Sequence, residues 1–349
     1  MYIMKKFVSL FLVLVMVLAL FVGCDDNKTP SESKPGETGA AAQTGTGETK
    51  PLKLALVVAG QFGDRSFYDS SKEGVDRLAK DLGVQVTTIE CGNDGHDAQM
   101  KNAADKADVV VCVGWEFYNI EEIAPQYPNV KWIWIDNATS APVANVLNIT
   151  YAQNEGSFLA GFIAASMSKT GVVGAVGGED QPVIKDFIVG YEQGAKYFDS
   201  NIQVVVNYAG TYDDPAKGKE CAFALNDQKA DVIFQIASAT GDGVFEAAKE
   251  RGFYAIGVDS DQKYISPDVI ICSMKKEVGN SIYDAVKALV NGDASKWGTT
   301  WVADMSNGYV GIGYGDDTMT QQVPDKVKTM VEELSRRIVS GEIQVATNR

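Results

Sequence analysis

Short runs of β-branched and other apolar residues alternate along this chain with segments whose apolar positions recur every three or four residues. The first run, residues 52–59, precedes a stretch in which Phe67, Val75, Leu78 and Leu82 share a face, so the period changes from strand to helix. Strands over 86–89, 109–113 and 132–135 and a helix over 98–105 continue the alternation. The pattern then starts again, with helices over 155–168, 183–198, 215–226 and 243–249 between strands over 172–176, 204–208, 232–235 and 254–258. Such alternation predicts parallel sheets wrapped by helices, here α/β with two doubly wound lobes. A strand over 269–273 and a helix over 278–290 are expected to return to the first lobe, giving three crossings between lobes. The expected boundaries are 53–151 plus 273–300 for the first lobe and 152–272 plus 301–349 for the second. A hinge of several crossing segments favours closure around a ligand.

The chain's beginning follows a different rule. Lys5 and Lys6 precede an apolar run over 7–22 that ends at Gly23-Cys24, which reads as a signal peptide over 1–23. A membrane-spanning helix is the alternative; the small residue before Cys24 and the polar stretch after it suit cleavage and lipid attachment at Cys24 better. Phe21-Val22-Gly23-Cys24 resembles the bacterial lipobox, with Phe21 where an aliphatic residue is usual. Residues 24–52 are rich in small and polar side chains with too little apolar surface to fold, and read as a disordered tether. The expected location is the extracytoplasmic face of the cell membrane, held by the lipid. About 300 residues remain, a length that suits two lobes.

Charge and composition narrow the chemistry. The formal charge of −15 becomes −17 once Lys5 and Lys6 leave, which argues against nucleic acid as a partner. One histidine, His96, and no close cysteine pair exclude a zinc cluster, and no cofactor is expected. Cys91, Cys112, Cys221 and Cys272 are widely spaced, and either buried thiols or disulfide pairs are compatible with export.

Ligands of open parallel sheets meet the loops at the carboxyl ends of strands. Those loops hold Asp64, Phe67 and Tyr68 after the first strand, Trp115 after the third, Asp136 after the fourth, and Ser238, Gly241 and Asp259 in the second lobe. Asp64 caps the helix that follows it or contacts ligand. Asp136 and Asp259 end buried strands, where a carboxylate is costly unless capped, solvated or bound. Trp115 either stacks on a planar ligand or plugs the space between lobes. The backbone N–H groups of 238–243 would receive a ligand oxygen, or the segment is simply a tight turn. No nucleophile-and-base pairing stands out, so the chain is not expected to be an enzyme.

Gly-Asp-Arg-Ser-Phe (63–67), Glu-Gly-Ser-Phe-Leu-Ala-Gly (155–161) and Ala-Ile-Gly-Val-Asp-Ser-Asp-Gln (255–262) resemble motifs of the basic membrane protein family. Its members are lipoproteins of nucleoside ABC importers, including purine nucleoside receptors. Gly177-Gly178, Pro182, Phe187, Gly190, Gly194-Ala195 and Ser273-Met274-Lys275-Lys276 are similar too. The resemblance implies a type I periplasmic-binding-protein fold, a nucleoside, preferably a purine nucleoside, in the interlobe cleft, and ABC permease subunits as partners. It implies that Asp64 and Asp136 accept hydrogen bonds from the base, that Asp259 and Lys276 hold the ribose hydroxyls with the backbone near Ser238 and Gly241, and that Phe187 covers one face of the base. Two positions depart from the family: Tyr68 stands where asparagine is usual and Lys72 where an aromatic often packs on the base. Tyr68 or Trp115 then supplies the missing stacking surface, or the pocket takes a different ligand such as a sugar or signalling molecule. A surface interaction protein with a vestigial cleft is the reading from another class.

Overall fold

A computed structural model describes residues 50–92 and 94–348. The signal peptide, Cys24 and nearly all of the expected tether lie outside the described residues. The first series of elements runs β1 (Lys53–Val58), α1 (Phe67–Leu82), β2 (Gln85–Glu90), α2 (His96–Ala104), β3 (Val109–Val113), α3 (Ile120–Ile123), β4 (Lys131–Ile135) and β5 (Val146–Tyr151). A second series follows: α4 (Gln153–Met167), β6 (Val172–Gly177), α5 (Pro182–Phe198), β7 (Gln203–Tyr208), α6 (Pro215–Asp227), β8 (Val232–Ile236), α7 (Asp242–Arg251), β9 (Tyr254–Asp259) and β10 (Ile270–Lys276). The chain closes with α8 (Val278–Val290), β11 (Thr300–Ala303), β12 (Val310–Gly313) and α9 (Asp325–Val339).

These strands form two six-stranded sheets, ordered β11-β5-β4-β3-β1-β2 and β12-β10-β9-β8-β6-β7. Every pairing is parallel except that of β12 with β10. The central strands β3 (Val-Val-Val-Cys-Val) and β8 (Val-Ile-Phe-Gln-Ile) are buried throughout, as strands covered by helices on both faces must be. The edge strands β2 and β7 carry mostly exposed or half-buried side chains. In each sheet the winding reverses beside the first strand of its series: β1 lies between β2 and β3, and β6 between β7 and β8. A crevice opens at the carboxyl ends of strands at such a reversal.

The chain passes between the sheets three times, after β5, after β10 and after β11. The crossing segments are bonded to one another: Ala152 N–H donates to the Ala303 carbonyl (3.1 Å), Glu277 N–H to the Tyr309 carbonyl (2.8 Å), and Met305 N–H to the Glu155 carboxylate (3.0 Å). One expectation is corrected here. The strand expected to return to the first lobe, β10, stays in the second sheet beside β9, because its buried run fills that sheet's centre as far as Lys276. The return is made by α8, which lies against α1 where Gly74 and Gly279 meet; a Cβ on Gly74 would stand 2.3 Å from the Gly279 carbonyl oxygen. Residues 301–303, expected in the second lobe, belong to β11 at the edge of the first sheet, parallel to β5.

Helices α4 and α5 pack closely for the same reason. Cβ atoms on Gly161, Gly190 and Gly194 would fall 1.9, 2.1 and 1.8 Å from carbonyl oxygens of Tyr191, Asn154 and Phe158. Only glycine permits that approach.

Candidate functional site

The loops leaving β1, β3, β4, β8 and β9 converge with the last residue of β10 and the first turns of α5 on one cavity, enclosing about 660 Å³ of space including its mouth. Among the described residues, four of the five non-glycine residues with positive φ lie in these loops: Arg65 (52°), Asp136 (71°), Ser238 (51°) and Asp259 (63°). Side chains are rarely held in that conformation outside functional sites. The left-handed turn bends the chain off the sheet directly after a strand, aiming Asp136 and Asp259 at the cavity instead of along the strand direction.

At the cavity floor Lys276, 1% exposed, donates to Asp136 Oδ2 across the cleft at 2.5 Å. Its ammonium lies 5.1, 4.9 and 5.2 Å from the ring centroids of Phe67, Tyr151 and Phe187. Ring faces carry negative charge density, so the cation is held by a carboxylate and three π-systems. Asp259, 8% exposed, accepts from Ser66 Oγ at 2.5 Å. Burial pushes the Asp259 carboxyl up to about 6, against the pull of Lys276 and the Ser66 hydroxyl, while Asp64 and Asp136 push it further up. The result is a charged cluster in a slot whose walls are largely apolar and aromatic, among them Phe67, Val183, Ile184, Phe187, Ile236 and Val258, with Glu116, Asn137 and Ser238 as further polar lining.

Phe67, Tyr68, Trp115, Asp136, Phe187, Ser238, Asp259 and Lys276 therefore line one cavity, as the strand-end reading expected of most of them. Trp115 sits at its rim, 42% exposed. Two expected residues are elsewhere. Asp64, 3% exposed, faces the outer vestibule and accepts from the backbone N–H groups of Ser66, Tyr68 and Asp69, each at 3.0 Å, and from Ser238 Oγ at 2.8 Å. Its lone pairs are committed to the turn that starts α1, the capping alternative. Burial raises its pKa, and those four hydrogen bonds oppose the rise. Gly241 does not reach the cavity; it packs on Gln235, where a Cβ would stand 1.9 Å from the amide oxygen. Lys72 lies off the cavity and pairs with Asp76 one helical turn on.

Sequence reasoning placed Glu116 and Asn137 in the strand-end loops without giving them a role, and missed Tyr212 and the pair Val183-Ile184 as lining residues. Glu116 and Asn137 follow Trp115 and Asp136 directly and were within reach of the strand-end rule; Tyr212 lies beyond β7, an edge strand that the rule made unremarkable. Outside the cavity, the vestibule is bordered by Asp64, Asp94, Asp97, Glu116, Glu179 and Asp213, with His96 as its only basic side chain among the described residues. Among the described residues no three His, Cys, Asp or Glu side chains are placed to share a metal ion. Cys91, Cys112, Cys221 and Cys272 are unpaired thiols. No helix among the described residues is long and apolar enough to cross a membrane.

Two doubly wound sheets, hinged by three crossings and facing each other across an aromatic cleft with a charged floor, define a solute-binding protein of the type I periplasmic class. The profile described as "ABC transporter substrate-binding protein PnrA-like" (Bmp) matches residues 52–349, and this chain belongs to that family. Basic membrane protein A of Borreliella burgdorferi is 30% identical over 303 residues, spanning 85% of this chain and 88% of that protein. Basic membrane protein D from another strain of that organism is 30% identical over 315 residues, covering 88% of this chain and 91% of that protein. Among solved structures, ABC transporter solute-binding proteins of Aeropyrum pernix and Conexibacter woesei superpose with TM-scores of 0.77 and 0.69. They are 28% and 25% identical; each comparison covers 85% of this chain, with 94% and 99% of the respective partner. The role is that of an extracytoplasmic solute-binding protein, with a small molecule and the transporter's membrane subunits as partners.

Proposed function

We propose that the solute is a nucleoside, taken up whole and passed unchanged to an ABC permease by a protein anchored through a lipid on Cys24. The observation that carries this reading is the cavity's polarity: a cluster of a buried lysine and two carboxylates, set in walls that are largely aromatic and aliphatic. Vicinal hydroxyls of a sugar suit the first, since Asp259 and Asp136 accept and Lys276 donates. A flat base suits the second, with Phe67 and Phe187 offering opposed faces in place of the stacking that Lys72 does not supply. Asp64 acts through the turn it caps. A bare sugar would satisfy the floor and leave the apolar walls wet.

Thermal unfolding of the full-length protein, refolded from denaturant to strip carried solute, tests this against nucleosides, free bases and sugars. A solute at a hundred times its Kd stabilises the folded state by about 2.7 kcal/mol. Shifts of several degrees with nucleosides alone are expected; shifts with sugars alone, or with none of these, would overturn the assignment.

A further inference from the structure

The carboxylates of the cleft differ in what remains for a solute. Asp136 is ion-paired with Lys276, and Asp259 accepts from Ser66. Glu116 Oε2 is buried and has no hydrogen-bond partner. A buried carboxylate oxygen left without a donor is costly, and native structures keep few of them without a use.

Local backbone geometry fixes this oxygen in place. Gly114 leaves β3 at φ 129°, a conformation closed to most side chains, and a Cβ there would stand 2.4 Å from Glu116 Oε2. The Glu116 side chain therefore folds back over the glycine, at the boundary shared by the inner cavity and the vestibule, whereas Lys276 lines the inner cavity alone. Trp115 and Tyr212 line the same region. Burial raises the Glu116 pKa; the carboxylate's own backbone N–H and His96 oppose the rise, and the nearby Glu179 adds to it.

We propose that Glu116 reads the edge of the nucleobase and selects a base that presents N–H donors there, the guanine type. This rests on the nucleoside reading above. With the sugar on the floor, the far edge of a purine points toward the cleft's outer end. A guanine edge offers N1–H and the 2-amino group, two adjacent donors that match a carboxylate's acceptors; hypoxanthine offers N1–H alone. Adenine turns a lone pair at N1 toward the carboxylate, and two acceptors then face each other. Matched pairs of this kind discriminate by roughly ten- to a hundred-fold.

Calorimetric titration of full-length protein with guanosine, inosine, adenosine and 1-methylguanosine tests the proposal, on the wild type and on Glu116→Gln. Guanosine should bind tightest, and 1-methylguanosine, which lacks the N1–H, at least about ten-fold more weakly. Glutamine presents one donor and one acceptor, so E116Q should weaken guanosine, strengthen adenosine and cut their ratio by ten-fold or more. Equal affinity for guanosine and 1-methylguanosine on the wild type overturns the role of Glu116 without relying on any variant. An unchanged guanosine-to-adenosine ratio in folded E116Q does the same; in both cases the nucleoside reading stands. Failure of the wild type to bind any of these four purine nucleosides overturns this proposal, and failure to bind cytidine and uridine as well removes the nucleoside reading.

Discussion

Replacing Asp259 with asparagine should make the protein more stable at neutral pH while impairing solute binding. Burial raises the Asp259 carboxyl from 3.8 to about 6, so between these values the folded state holds a proton that the unfolded state has released. Stability falls as pH rises wherever the folded state binds more protons. Asp259 thus contributes its full stability below about pH 4 and loses it as pH rises through about 6. The shift of about two units corresponds to a cost of about 3 kcal/mol at pH 7.5. Asparagine never ionises and still accepts from Ser66, and its amide N–H groups must find acceptors, so a gain of about 1–3 kcal/mol is expected. Urea unfolding of both proteins at pH 4 and pH 7.5 reads the effect, since titrating groups that do not interact with Asp259 cancel in the difference. The two should be nearly equal at pH 4 and well separated at pH 7.5. A variant less stable than wild type at pH 7.5, or a difference identical at the two pH values, would refute the account of Asp259 as an ionised carboxylate kept at a cost to stability. Solute affinity should move the opposite way, falling at least about ten-fold in D259N, the usual opposition between stability and function at a binding site.

Lys276→Met should destabilise the protein by about 3–5 kcal/mol at pH 7.5, because it removes the buried cation that holds the Asp259 charge, and part of that loss should disappear at pH 5 as Asp259 takes up a proton; pH-dependent urea unfolding reads both. Gly194→Ala, whose Cβ would meet the Phe158 carbonyl at 1.8 Å, should lower stability by about 3 kcal/mol or abolish folding, measured by the thermal midpoint. Lys263, fully buried, donates to the Ile270 carbonyl at 2.6 Å and to Gln322 at 2.7 Å, and burial lowers its pKa. Lys263→Met should cost about 2–4 kcal/mol at pH 7.5 by leaving those acceptors without a donor, with little change in solute affinity.

The alternation of apolar runs made both doubly wound sheets legible, since central strands such as β3 and β8 are continuous apolar blocks that no helix period fits. The termini of the two sheets were harder. Strands β11 and β12 have four residues each, too few for a period, and β12 contains two glycines. Helix α9 does carry a signal in Val331, Leu334 and Ile338, and it was missed beside the long polar segment before it. Asp136 and Asp259 could be found because a carboxylate directly after a buried strand needs an explanation. Lys276 could not be found that way: the periodic reading ended its strand three residues early, and only the family resemblance pointed to it. The motifs over 155–161 and 187–195 identify the family, yet the structure gives their glycines to the contact between α4 and α5 and Glu155 to the hinge. Glu116 stood in a strand-end loop but drew no role, because a glutamate in a polar loop is ordinarily solvated and its burial depends on the conformation of Gly114.

Bonds that join the two lobes across the cleft belong to the protein itself. Ser66 donates to Asp259, Ser238 to Asp64 and Gln262 to the Arg65 carbonyl, and Arg65 pairs with Asp242. A solute enclosed beneath them departs only after they have broken, whichever solute it is. Residence time then contains an unlatching step common to every occupant. Chemically different solutes would share an upper limit on escape and differ mainly in how firmly they hold the cleft shut below it. Handover to the membrane subunits becomes, in kinetic terms, a matter of prising Arg65 from Asp242 and its neighbours more than of competing for the solute.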